Sequence, residues 1–233
     1  GEKEKILNSR VNEAIKKAVN TRSRLSPKNN SILLPRGNKV PKNNPNKDLM
    51  FGRPGKILHI DGDKDYLETC LKVYKQLSLD AVGRAILEKE QANQVVDLVK
   101  EIKPDIVVLT GHDSVLKESN DYLNLNNYRN SKYFIQTVKE ARRYDKEVNK
   151  NLVIFAGACQ SYFEALISAG ANFASSPARI LIDFLDPLIV AEKVAITDEY
   201  KYISIDDIYR ELRDGKKGVD GIGANGKMKK IPL

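Results

Sequence analysis

The chain has 233 residues, 41% of them hydrophobic, with a formal net charge of +8, two cysteines and two histidines. That length suits one large α/β domain with an appendage, and no stretch approaches the run of about 18 apolar residues that spans a bilayer. The start lacks the apolar segment of a secretory signal, and the cysteines and histidines match no zinc spacing. An intracellular chain without metal, other cofactor or membrane contact is therefore expected.

The basicity is local. Residues 1–55 carry 13 Lys/Arg against 4 Asp/Glu, whereas the other 178 residues carry 26 against 27. Any polyanion contact thus concerns the N-terminal arm, which is expected to be a solvated tail. Its Lys and Arg lie among Asn and Pro without an aromatic platform, so specific nucleic-acid recognition is not expected.

Residues 4–20 place Ile6, Leu7, Val11, Ala14, Ile15, Ala18 and Val19 at helical spacing and predict a helix. From 21 to 55 the text turns to Asn, Lys, Arg and five prolines, the composition of an extended linker. With Gly at position 1 the chain is expected to be a piece of a longer one. Two units follow, a basic helix and linker over 1–55 and an α/β domain over 56–233.

Within the second unit KILHID (56–61) predicts a strand, followed by a helix with Tyr66, Leu67, Cys70, Leu71, Val73, Tyr74 and Leu77 on one face. Residues 80–86 predict a strand, 88–102 a helix, and DIVVLTG (105–111) a strand buried on both faces. After the polar insertion 113–129 come a helix at 130–145 and a second buried strand, NLVIFAGA (151–158). Cys159 is expected to open the helix QSYFEALISAG. A short strand at 172–177, helices at 187–197 and 205–213, and a Gly/Lys-rich tail complete the chain. Strands alternating with helices predict a parallel sheet covered on both faces, with function outside the carboxyl ends of its strands. Asp61, His112 and Cys159 stand at such ends.

IVVLTGHDS (106–114) and LVIFAGACQS (152–161) share one plan: a buried run, a glycine, and then one reactive side chain. If the two strands are neighbours, His112 and Cys159 emerge side by side, and the imidazole can act as base for the thiol. The backbone N–H of Cys159, with that of Asp113 or Ser114, can then hold an oxyanion. Cys70, between Leu67 and Leu71 on a helix face, reads as core, and His59, mid-strand, as a satisfied buried histidine.

An apolar strand ending in His, then an apolar strand ending in Ala-Cys some 50 residues later, resembles the caspase, gingipain and legumain group. That group has Gly directly after the His, whereas here Gly111 precedes His112 and Asp113 follows it. TGHDS, YRNSKYFIQTVKEAR, FAGACQSYFEALISAGANFASSP and DPLIVAEKVA resemble the YabG family of sporulation-specific peptidases over about residues 56–197. This resemblance implies a caspase-like (flavodoxin-like) three-layer sandwich. It also implies a cysteine endopeptidase acting on spore coat or germination proteins, in the mother cell cytoplasm or the developing coat and cortex. Cleavage after Arg is implied, and that needs an acidic S1 pocket. The candidates are Asp61 and Asp63 after the first strand, and Asp183 and Asp186 from the other side. Arg22, Arg24 and Arg36 in the linker are the implied self-cleavage sites.

Two other readings compete. ILHIDGD and PDIVVLTGHD resemble the first and third strands of a phospho-acceptor receiver domain, with Asp61, Asp63 and Asp113 around Mg²⁺. NFASSP, however, offers no Lys after the fifth strand. Alternatively, the basic arm alone acts as a sequence-independent polyanion binder.

Overall fold

The computed structural model describes residues 2–25, 32–33, 51–116 and 121–231. In chain order its elements are α1 (Glu2–Leu25), β1 (Ile32–Leu33), β2 (Phe51–Arg53), β3 (Ile57–Asp61), α2 (Lys64–Gln76), β4 (Ala81–Ala85), α3 (Glu88–Ile102), β5 (Ile106–Thr110) and α4 (Ser131–Val148). Then follow β6 (Val153–Ala156), α5 (Phe163–Ala169), β7 (Phe173–Ser175), α6 (Asp186–Ile196), β8 (Tyr202–Ile203), β9 (Val219–Gly221), β10 (Ala224–Asn225) and β11 (Lys229–Ile231).

The central sheet runs β4-β3-β5-β6-β7-β9, with the first five strands parallel and β9 antiparallel to β7. Its strands read as continuous apolar runs because helices cover both faces. Alternate residues serve two separate cores. Ile57, Ile106, Val108, Val153, Phe155 and Phe173 pack with α2, α6 and Ala18 of α1. Leu58, Ile60, Val107, Leu109, Ile154 and Ala174 pack with α3, α4 and α5. The result is a three-layer α/β sandwich. The chain leaves β3 for β4 on one side and returns to β5 on the other, so the loops after β3 and β5 flank the point where strand order reverses, the usual place for a site.

Helix α1, at the start of the N-terminal arm, is less solvated than expected. Ala18 is 5% exposed, and Val11, Ala14 and Ile15 pack against the same core, because their helical spacing gives α1 an apolar face with a place to bury it. The helix also continues to Leu25, past the expected linker start. Most of that linker lies outside the described residues, but Phe51–Arg53 is a strand pairing with β1 and β11.

Two expectations near the C-terminus are corrected. Residues 205–213 form no α-helix; a single 3-10 turn, Ile205–Asp207, is closed by reciprocal bonds between Ser204 and Asp207, a capping box followed by no sustained apolar face. The Gly/Lys-rich tail supplies β9, β10 and β11. Strands of two or three residues carry no periodicity to read. Tertiary pairing recruits them, and Gly221 permits it, since a Cβ there would lie 2.2 Å from the Asn172 carbonyl oxygen.

Candidate active site

Strands β5 and β6 are neighbours in register from Ile106 opposite Val153 to Leu109 opposite Ala156. The offset of 47 residues persists in the sequence to His112 and Cys159, three residues beyond the last pair. Gly157 N–H still donates to Leu109 carbonyl at 3.0 Å. Both side chains therefore leave the same rim of the sheet from adjacent strands. Cys159 is half-buried, and its thiol points to the Ile182 carbonyl at 3.9 Å. The His112 side chain is 58% exposed.

The turn carrying Cys159 differs from expectation. Helix α5 starts at Phe163, four residues later, so the thiol does not cap it. Gln160 takes a left-handed φ of 56°, and its N–H is held by Ile180 carbonyl and Ser176 Oγ, both at 3.1 Å. These contacts compete with helical pairing and delay the helix. Ser176 and Arg179, at φ 62° and 57°, shape the facing segment. Non-glycine residues in this region cluster where surrounding contacts over-determine the backbone. Arg179 anchors that segment, lying 5.5–5.9 Å over the rings of Tyr122, Tyr128 and Tyr162 and pairing with Glu164.

Asp113 joins the two loops. Buried to 7% exposure, it accepts Ser114 N–H (2.9 Å) and Asn130 N–H (2.7 Å) on Oδ1, and the hydroxyls of Ser131 and Ser161 (2.9 Å) on Oδ2. Ser161 Oγ accepts the Ala158 N–H at 2.9 Å, one residue before the cysteine. Burial raises the Asp113 pKa despite these four bonds. They leave Asp113 neither the access nor the free oxygens a phospho-acceptor needs. Asp61 and Asp63 point to other partners, and among the described residues no three His, Cys, Asp or Glu side chains converge as metal ligands. The receiver reading therefore loses its acidic triad.

Ser114 N–H is committed to Asp113, and His112 N–H donates to Glu88 Oε1 at 2.7 Å. Glu88 fills a cradle between two glycines. A Cβ at Gly62 or Gly111 would lie 2.4 or 2.3 Å from its Oε1. Among the described residues, Asp113 N–H and Cys159 N–H donate to no internal acceptor. Glu88 was missed from sequence because the partner of a helix's first residue lies across the sheet.

The four acids differ. Asp61, 6% exposed, accepts Asp63 N–H at 2.7 Å and Thr110 Oγ1 at 2.6 Å. Burial opposes its charge, but the bonds and nearby His59 outweigh it and lower its pKa. His59 Nε2 is 2.8 Å from Thr110 Oγ1 and Nδ1 is 3.2 Å from Tyr74 Oη. The chain closes in one direction: Tyr74 O–H donates to His59 Nδ1, Nε2–H to Thr110, and Thr110 to Asp61. His59 and the 1%-exposed Cys70 are thus interior residues. Asp63 caps α2, accepting Asp65 N–H and Tyr66 N–H on Oδ1, and its Oδ2 lies 2.9 Å from His112 Nε2. Asp183 follows the carbonyl facing the cysteine. Its Oδ2 is 3.7 Å from Arg10 Nη1 of α1.

Asp186 is 1% exposed. Oδ1 accepts Arg213 N–H at 3.2 Å, while Oδ2 has no partner. Burial, aided by the Asp183 charge, raises its pKa from 3.8 to about 6. Folding thus favours its protonated form. The associated stability is present below pH 4 and is lost between about pH 4 and 6, roughly 2–3 kcal/mol in all. Asp186→Asn is expected to stabilise the protein at pH 7.5 and leave it unchanged at pH 4, as read by urea unfolding.

Arg22 and Arg24 fall within α1, which runs to Leu25, rather than in a linker. Arg36 lies outside the described residues. No helix among the described residues is long and apolar enough to cross a membrane.

The fold and rim define an α/β sandwich that carries an acid, an imidazole and a thiol on the loops after three neighbouring parallel strands, with the acid and the imidazole in contact. The chain matches the family model described as YabG peptidase U57 over residues 1–232, and it belongs to that family. It is 43% identical over 179 residues to the sporulation-specific protease YabG of Bacillus subtilis (strain 168), an alignment covering 77% of this chain and 61% of that protein.

Proposed function

We propose that the chain is a cysteine endopeptidase of sporulation, with Cys159 as nucleophile and His112 as its base. The observation that carries this reading is the β5–β6 register, whose 47-residue offset joins the last strand pairs to the two reactive residues. His112 takes the thiol proton, and the thiolate attacks the scissile carbonyl carbon. Asp113 N–H and Cys159 N–H receive the oxyanion, each such donor being worth about 10²–10³ in rate. The imidazolium then protonates the leaving amine, and water hydrolyses the thioester with His112 again as base. The five parallel strands and antiparallel edge agree with a caspase-like arrangement.

Cleavage after Arg is assigned to Asp183. Its backbone adjoins the carbonyl facing Cys159, and its carboxylate already receives one guanidinium, that of Arg10. Asp61 is spent on interior bonds and Asp186 is closed off from solvent. Spore coat or germination proteins in the mother cell or developing coat are the proposed substrates, with processing of the chain's own arginine-rich N-terminal region as a further reaction.

An arginyl chloromethyl ketone tests nucleophile and specificity together. One equivalent is expected on Cys159 and none on Cys70, whose thiol pKa burial raises. Labelling should vanish in His112→Ala, and Asp183→Ala should lower kcat/KM on arginyl substrates about 10²-fold or more, the usual consequence of removing one member of a buried charge pair. Labelling at Cys70, or at Cys159 without any need for His112, would refute the pairing. Intact mass of active protein beside Cys159→Ala reads self-cleavage in the same samples.

A further inference from the structure

We infer that Asp63 is a positioning residue that sets the tautomer and orientation of His112. The inference rests on the His112–Cys159 reading and deepens it. Adjacent strands β3, β5 and β6 deliver Asp63, His112 and Cys159 in that order along the rim. The imidazole thus stands between the acid's strand and the thiol's.

The Asp63 carboxylate is fixed before it meets the ring. Its Oδ1 is claimed by two backbone N–H groups at 2.9 and 3.1 Å. The Asp63 N–H is held by Asp61, itself anchored through Thr110, His59 and Tyr74. Only Oδ2 remains, and it lies 2.9 Å from His112 Nε2. A carboxylate accepts and does not donate, so Nε2 carries the proton. Nδ1 is then the basic nitrogen, and among the described residues it has no partner. The Tyr66 ring, with centroids 6.2 Å apart, flanks the imidazole and stacks on Phe184. A ring more than half exposed would otherwise turn freely. Holding the spare nitrogen is the ordinary way a histidine is kept in its working tautomer. With both oxygens engaged, Asp63 has none left for a substrate guanidinium.

Two variants separate this role from helix capping. Asn and Ser also cap helices well. In Asp63→Asn the cap claims the amide oxygen, so the NH₂ faces Nε2 and drives the proton to Nδ1. Asp63→Ser caps but does not reach the ring. Nitrogen-15 shifts of the His112 ring in the full chain should report Nε2–H in the parent, Nδ1–H in Asp63→Asn and a mixture in Asp63→Ser. On an arginyl p-nitroanilide, kcat should fall about 10–100-fold in both variants with KM unchanged, and the unfolding midpoint should barely move. An Asp63→Asn protein that keeps the Nε2–H form, or keeps full kcat, overturns the inference. Should Cys159 fail to take the arginyl probe in the parent, the dyad reading has fallen. The ring shifts then decide alone whether Asp63 sets the tautomer.

Discussion

Cys159→Ala should abolish peptide-bond hydrolysis, and His112→Ala should lower it by about 10³-fold or more. Residues that act as one catalytic unit lose nearly everything when either is removed. Both side chains leave the sheet beyond its last paired residues, and neither contributes to the two cores. The unfolding midpoints of both variants should therefore match the parent's within error. Progress curves on an arginyl substrate, beside urea unfolding of the same samples, make the measurement. Substantial hydrolysis by Cys159→Ala would end the cysteine-peptidase proposal whatever the family resemblance.

The second large effect belongs to Asp113, through stability. In Asp113→Ala, two backbone N–H groups and two serine hydroxyls lose their shared acceptor inside a buried junction. Each buried group left unsatisfied costs about 1–3 kcal/mol, and partial relaxation brings the sum to about 3–5 kcal/mol. Activity at temperatures where the variant remains folded should drop about 10²-fold, since the junction sets the spacing of the His112 and Cys159 loops. Asp113→Asn keeps one acceptor oxygen for the backbone N–H groups, and the hydroxyls can rotate to accept from the new amide. It should lose only about 1 kcal/mol. Equal losses in the two variants would show that the hydrogen-bond set is not what holds the loops.

Helix 88–102 and the strands around 57–61, 106–110 and 153–156 were legible because continuous apolar runs and helical spacing survive in one dimension. The rim placement of His112 and Cys159 was legible for the same reason, since each follows a run buried on both faces and stands where a parallel sheet presents its edge. The buried state of His59 and Cys70 followed from their apolar neighbours. The start of α5, the missing helix at 205–213 and the strands in the tail were not readable. Their outcome depends on partners such as Ile180, Ser176 and Asn172, which meet them only across loops.

The acids show the division most clearly. Asp61, Asp63, Asp183 and Asp186 look interchangeable as carboxylates near strand or helix ends. Folded, one anchors a buried chain, one caps a helix and holds an imidazole, one receives a guanidinium and one is closed off with an unpartnered oxygen. Composition and periodicity settled the layers, the two cores and the rim, because burial of apolar surface depends on pattern more than on particular partners. Which oxygen meets which hydrogen was left to the folded chain. A hydrogen bond is decided within a few tenths of an ångström, and His112 and Asp63, 49 positions apart, reach that precision only after the sheet has brought their loops together.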